Sequence, residues 1–262
     1  MFYDVGAAIG WYSVIAALKV GKTGRVISCE PERGNYRLLC LNIKQNRLDN
    51  VTALRCAVSD RSGWGRLYRS TENLGDHRLD VRMENGSSER TRTVTLLDLI
   101  GHGYPPPDVM KIDTQGCEAK ILSCLPELCK LNPKLSVVLE FWPFGLEQCG
   151  TSYKQLLQTL EGLDLEFFVL CELPRGLAAT TLSQIARRCE SDLHPSTNEF
   201  VNLVALPRPR ADYLPAPEVY VDQCLQLAAS WNAEPTLISA SRSSRLARSL
   251  KRRSTRPPSR LE

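Results

Sequence analysis

Asp4, Gly6 and Gly10 stand in the run Asp4-Val5-Gly6-Ala7-Ala8-Ile9-Gly10, and Glu30 follows Gly10 by 20 residues. Glycines at a strand-to-helix turn let backbone approach a ligand where any side chain would fill the space. An acid at the tip of the next strand can accept hydrogen bonds from ribose hydroxyls. Together they point to a nucleotide-containing cofactor. The spacing D-x-G-x-x-x-G lacks the middle glycine of G-x-G-x-x-G, the pattern that makes room for a pyrophosphate. A carboxylate at Asp4 would repel a pyrophosphate and suits a ligand bearing an amino group. The amino-acid end of S-adenosylmethionine is such a ligand. That cofactor is expected, and a nicotinamide-dependent oxidoreductase is disfavoured.

Asp113 closes Val109-Met110-Lys111-Ile112-Asp113, immediately before Thr114-Gln115-Gly116. Open α/β sheets bind ligands at the carboxyl edge of such strands, and a charged group there needs a partner or a task. Two tasks compete for Asp113: orienting the cofactor's amino group, or acting as base toward a methyl acceptor. Glu140 follows Val137-Val138-Leu139 and is expected to face the same cleft. Trp142 and Phe144 beside it read as an acceptor wall or as plain packing. Glu118 reads as a charge for the first turn of the next helix. A hydroxyl acceptor must lose its proton at or before transfer, so Asp113 and Glu140 are the candidate bases. The three histidines, His77, His102 and His194, form no ligand-like pair. No metal is expected, and His77 and His102 read as surface residues.

The elements that must position these groups alternate between β-rich runs and helical stripes, which predicts βαβ units and a mostly parallel sheet. FYDV (2–5) is the first strand. Val14, Ile15 and Leu18 share a face of a helix over 11–20 that Gly21 ends. RVISCE (25–30), VTALRCAVS (51–59), VMKID (109–113), LSVVLEF (135–141), EFFVLC (166–171) and FVNLVAL (200–206) supply the other strands. Helices are marked by Tyr36, Leu39, Cys40 and Ile43, by Ile121, Leu122 and Leu125, and by Tyr153, Leu156, Leu157 and Leu160. The polar stretch 60–90 reads as a β-excursion at GRLYRS with a mobile loop. Residues 173–199 read as a long loop with little periodicity.

The segments DVGAAIGWYS (4–13), CEPERGNYRLL (29–39), NIKQNRLDNVTALRCAVSD (42–60), VTLLDLI (94–100), VMKIDTQGCEAKIL (109–122) and LEFWP (139–143) resemble the FkbM-type S-adenosylmethionine-dependent methyltransferases. The resemblance implies a Rossmann-like class I methyltransferase fold over 1–206, α/β, with a mostly parallel central sheet flanked by helices and an antiparallel last strand. It implies that Asp4, Gly6, Ala7 and Gly10 surround the methionine part, with Asp113 beside them and Glu30 on the ribose. Ser59 and Asp60 are then candidate adenine contacts at the end of the third strand, although Asp60 also suits a turn in Ser-Asp-Arg-Ser-Gly. The implied reaction is O-methylation of a hydroxyl on a small molecule or saccharide. Two departures bear on how firmly the cofactor is held. The family has Asn where Ala8 stands, and it carries an upstream segment where this chain has three residues before Asp4. A non-catalytic cofactor-binding pseudoenzyme is the alternative they suggest.

Composition sets the remaining expectations. With 43% apolar and 24% charged residues the chain falls outside collagen-like, coiled-coil and wholly disordered classes. Residues 239–262 hold eight basic side chains and one acid, so +7 of local charge leaves −3 for the rest of a chain with a net +4. That segment reads as a disordered basic tail, joined through a Pro-rich connection and docked helix over 207–238. Its Arg-rich part, 242–260, suggests a second alternative, methylation of RNA or another polyanion. The ten cysteines show no C-x-x-C and read as reduced thiols, hence a cytoplasmic location. The apolar run 5–18 has no positive flank and is too short to span a bilayer. Neither the acceptor nor the oligomeric state is readable.

Overall fold

The structure, a computed structural model, describes residues 1–70, 75–81, 87–171 and 176–208. Its first half runs β1 (Phe2–Val5), α1 (Trp11–Val20), β2 (Val26–Cys29), α2 (Arg33–Gln45), β3 (Val51–Leu54), β4 (Ala57–Val58), β5 (Gly63–Arg69), β6 (Arg78–Leu79), β7 (Ser87–Val94) and α3 (Leu96–Gly101). The second half runs β8 (Val109–Ile112), α4 (Glu118–Ile121), a 3-10 turn (Leu122–Cys124), α5 (Leu125–Leu131), β9 (Ser136–Phe141), α6 (Pro143–Gln148), α7 (Tyr153–Leu160), β10 (Leu165–Cys171), β11 (Gly176–Thr180), α8 (Leu182–Arg188) and β12 (Val201–Pro207).

Eight strands form the main sheet in the order β11-β10-β12-β9-β8-β1-β2-β3. β3, β2, β1, β8 and β9 pair in parallel. β12 enters antiparallel between β9 and β10. The central strands are buried and read as near-continuous apolar runs, as parallel strands covered on both faces must: Tyr3, Val5, Met110, Ile112, Leu139 and Phe141 are fully enclosed. β1 has β2 on one side and β8 on the other, so the strand order reverses beside it. Such a switch point opens a crevice at the carboxyl ends of the strands.

Three expectations are corrected, and the β-excursion at GRLYRS, found as β5, is extended. VTALRCAVS is two strands: β3 ends the main sheet, and after Arg55-Cys56 the chain crosses to β4, which pairs with β7 in a second sheet ordered β4-β7-β5-β6. The stretch 60–90 contributes three strands to that sheet, with β5 and β7 paired from Gly63↔Thr93 to Arg69↔Ser87. The loop expected over 173–199 contains β11, antiparallel to β10, and α8, which opens with a Thr181/Gln184 capping box. The helix through Ile121–Leu125 breaks into α4, the 3-10 turn and α5, where Pro126 lacks an N–H and starts a new helix. The segment 209–262, with the docked helix, the basic tail and its polyanion contact, lies outside the described residues. No helix among the described residues is long and apolar enough to cross a membrane. The nine described cysteines are free thiols.

Candidate active site

Strand register explains why the selected residues meet. Ser28, Asp4 and Lys111 are direct neighbours across β2, β1 and β8. With a side-chain period of two they project to one face. Two residues further on come Glu30, Gly6 and Asp113 at the carboxyl edge, with Glu140 at the corresponding end of β9. The cleft there is lined by Gly6, Ala8, Glu30 and Pro31 from the first two strands, and by Asp113, Thr114 and Gln115 after β8. Cys56, Ala57, Val58, Leu67, His77 and Leu79 close it from the side of the small sheet.

Glu30 is 5% exposed. Its Oε2 accepts the Ala8 N–H at 2.8 Å and its Oε1 accepts the Glu32 N–H at 2.8 Å. Burial pushes its pKa up to about 8 despite these two bonds. Ala8 itself sits at φ +47°, a left-handed conformation that costs an alanine about 1–2 kcal/mol. Asn tolerates it far better, which gives the family's preference at this position a backbone reason. Ala8→Asn is therefore expected to stabilise the fold by about 0.5–1 kcal/mol, raising the melting temperature by roughly 1–4 °C. A melting scan that moves downward refutes this account.

Asp4 does not line the cleft. It is fully enclosed; its Oδ2 accepts the Ser13 hydroxyl at 2.6 Å, and Ser28 donates in turn to Ser13 at 2.8 Å. Its other oxygen lies 3.6 Å from Lys111 Nζ. Lys111 also donates to the Gly6 carbonyl at 3.0 Å and pairs with Asp113 at 3.3 Å, and its Nζ lies 5.0 Å from the centre of the Tyr12 ring. Burial works against the charge on Lys111, but Asp4 and Asp113 outweigh it and raise the lysine's pKa. The sequence reading missed this lysine. Its signal in the sequence is a cation set inside the apolar run Val109–Ile112.

Gln115 joins the two candidate bases. Its Nε2 donates to Asp113 Oδ1 at 2.9 Å and to Glu140 Oε2 at 3.0 Å, from a backbone at φ +58°. Burial first, then the Asp113 and Glu118 charges, lift Glu140 to about 8. Glu118 stands in the first turn of α4, as expected, and is fully buried there: one oxygen accepts both the N–H and the hydroxyl of Thr114, at 2.8 Å each. Trp142 is 5% exposed, with Arg78 stacked 4.8 Å from its ring centre and Phe144 at 5.5 Å. Ser59 is buried but bonds to its neighbour Asp60 at 3.0 Å, and Asp60 is exposed; neither lines the cleft. Ala7 and Gly10 shape the turn, joined by the Gly10 N–H to Ala7 carbonyl bond at 2.8 Å. His77 is not a surface residue; it lines the cleft.

Residues 4–167 match the family described as the methyltransferase FkbM domain. The chain belongs to the FkbM methyltransferase family. The fold of this FkbM member is the mostly parallel α/β sheet described above. Among solved structures it is similar to an FkbM methyltransferase from Methylobacillus flagellatus KT, at 15% identity and a TM-score of 0.48, covering 78% of this chain and 42% of that one. An O-methyltransferase from Bacillus cereus in complex with SAH matches at 14% identity and a TM-score of 0.42, over 78% of this chain and 73% of that one. TomG, an O-methyltransferase from Streptomyces achromogenes, matches at 13% and 0.42, over 79% and 72%. No protein of curated function matches the chain by sequence.

Proposed function

We propose that the protein is an S-adenosylmethionine-dependent O-methyltransferase acting on a hydroxyl of a small molecule or saccharide. The observation that carries the reading is the composition of the cleft at the β1 switch point. A buried acid, Glu30, stands beside the Gly6–Ala8 turn, in a cleft lined also by apolar side chains (Pro31, Ala57, Val58, Leu67, Leu79) and by the half-buried acid Asp113. This donor set fits the cofactor: a slot for a flat base, a carboxylate for the ribose diol, and an acid for the α-ammonium.

In this reading Glu30 holds the ribose, and Gly6, Ala7 and Gly10 shape the turn beside the methionine part. Asp113 lines the cleft and is assigned the ammonium, the first of its two candidate tasks. Asp4 acts from behind, holding Lys111 and through it the orientation of Asp113. Glu140 is not among the residues lining the cleft; it is tied to Asp113 through Gln115, and it is assigned the hydroxyl proton. When bound, the cofactor supplies an electrophilic methyl group on a sulfonium. The chain's own contribution is to hold the acceptor oxygen close and in line, an effect that can supply about 7–11 kcal/mol, and to remove the proton.

Calorimetry with S-adenosylmethionine, S-adenosylhomocysteine and NAD tests the cofactor. The first two are expected to bind and NAD to fail; binding of NAD alone overturns the reading. Glu30→Ala should weaken S-adenosylhomocysteine roughly 10- to 100-fold, as loss of a pair of hydrogen bonds to the ribose does. The variant's melting curve is recorded alongside, and unchanged affinity removes Glu30 from the site.

A further inference from the structure

We infer that His77 donates its Nε2–H to a ring nitrogen of the purine held in the cleft, and so makes the nucleoside site selective for its base. The inference rests on the cofactor reading above and adds the contact that selects the base. His77, Arg78 and Leu79 are consecutive in extended chain entering β6, so the outer two share a side and the middle one points away. The structure shows this alternation: His77 and Leu79 line the cleft, while Arg78 stacks on Trp142. Leu79 lies directly opposite Leu67 across the β5–β6 pair, and Leu67 lines the same cleft. His77 therefore stands at the rim of the apolar slot assigned to the base.

The tautomer follows from the hydrogen bonds. His77 Nδ1 accepts the Ser70 N–H at 3.2 Å, so that nitrogen carries a lone pair. Burial lowers the pKa of the ring and keeps it neutral. The one ring proton is then on Nε2. That nitrogen is enclosed and has no hydrogen-bond partner among the described residues. Buried donors in native structures are nearly always satisfied, and an orphan calls for an absent partner. A purine brings acceptors of the right kind in N1, N3 and N7, whereas its exocyclic amine only donates. This places base recognition on the small sheet rather than on Ser59 and Asp60.

The test is calorimetry with S-adenosylhomocysteine and its 1-deaza, 3-deaza and 7-deaza analogues, on the full chain and on two variants. His77→Asn keeps an acceptor for the Ser70 N–H but has no group at Nε2. His77→Gln places its amide nitrogen near Nε2. His77→Asn should bind S-adenosylhomocysteine roughly 3- to 10-fold more weakly, and His77→Gln should recover most of that. One deaza analogue should show the same loss on the wild-type chain and no further loss on His77→Asn. Equal affinity of wild type and His77→Asn, or identical analogue ratios on both, overturns the inference while leaving the cofactor reading intact. A wild-type chain that binds none of these ligands overturns both.

Discussion

Gly6→Ala should cost the fold about 4 kcal/mol or more, a size that single substitutions rarely reach. Two penalties add. Gly6 has φ +77°, and a Cβ there would lie 1.9 Å from the carbonyl oxygen of Asp113, a backbone atom that cannot turn aside. The main chains of β1 and β8 converge at this point, with the Asp113 N–H already bonded to the Val5 carbonyl at 3.0 Å. Relief would require the carboxyl ends of the two central strands to part, which also displaces Asp113 and the Lys111 contact to the Gly6 carbonyl. Gly21→Ala is the control: φ is +66°, but nothing lies within 4 Å of the added carbon. With ψ at −167° the residue lies in a region open to glycine alone, so it should lose only the conformational share, about 1–3 kcal/mol. Urea unfolding of the two variants decides it; equal losses would mean that the close approach costs nothing. Since whole domains are stable by only about 5–15 kcal/mol, Gly6→Ala is expected to leave little folded protein at 37 °C.

The same pinch explains why this part of the site was legible in the sequence. Asp4, Gly6, Glu30 and Asp113 sit at strand ends, and strands buried on both faces announce themselves as apolar runs. The glycine spacing then locates the turn. The small sheet was legible only at GRLYRS, which overlaps β5; its main partner β7 carries little hydrophobic contrast, since in Ser87–Val94 only Thr91 and Thr93 are buried, and both are polar. With the rest of that sheet unseen, His77 had no wall to belong to and read as a surface residue. α8 is a different kind of omission. Thr181-Leu182-Ser183-Gln184 is a capping-box sequence, but the helix it starts is seven residues long and buries only Ile185, so no stripe followed the start signal. Lys111 and Gln115 show a third limit. Their roles depend on which strands are neighbours and on a left-handed backbone at Gln115, neither of which periodicity reports.

Glu140→Gln should lower kcat by roughly 10²- to 10⁴-fold with little change in the acceptor's KM, the loss expected when a general base is removed. The argument is geometric first. Asp113 is engaged by Lys111 at 3.3 Å, so of the two carboxylates that Gln115 bridges, Glu140 is the one with no cation paired to it among the described residues. A base must be ionised to accept a proton, and burial with the neighbouring Asp113 charge sets Glu140 near 8. Below that value most molecules carry the proton already, so the wild-type rate should climb about tenfold per pH unit from pH 6 and level off above about 8. Gln115→Glu sharpens the assignment. It replaces two donated N–H bonds with a third carboxylate, which disfavours ionisation of Glu140 and should move the limb to higher pH. A structural role for Gln115 would lower the rate without moving the limb. A flat profile between pH 6 and 8, or Glu140→Gln as fast as wild type at pH 8, would assign the base elsewhere.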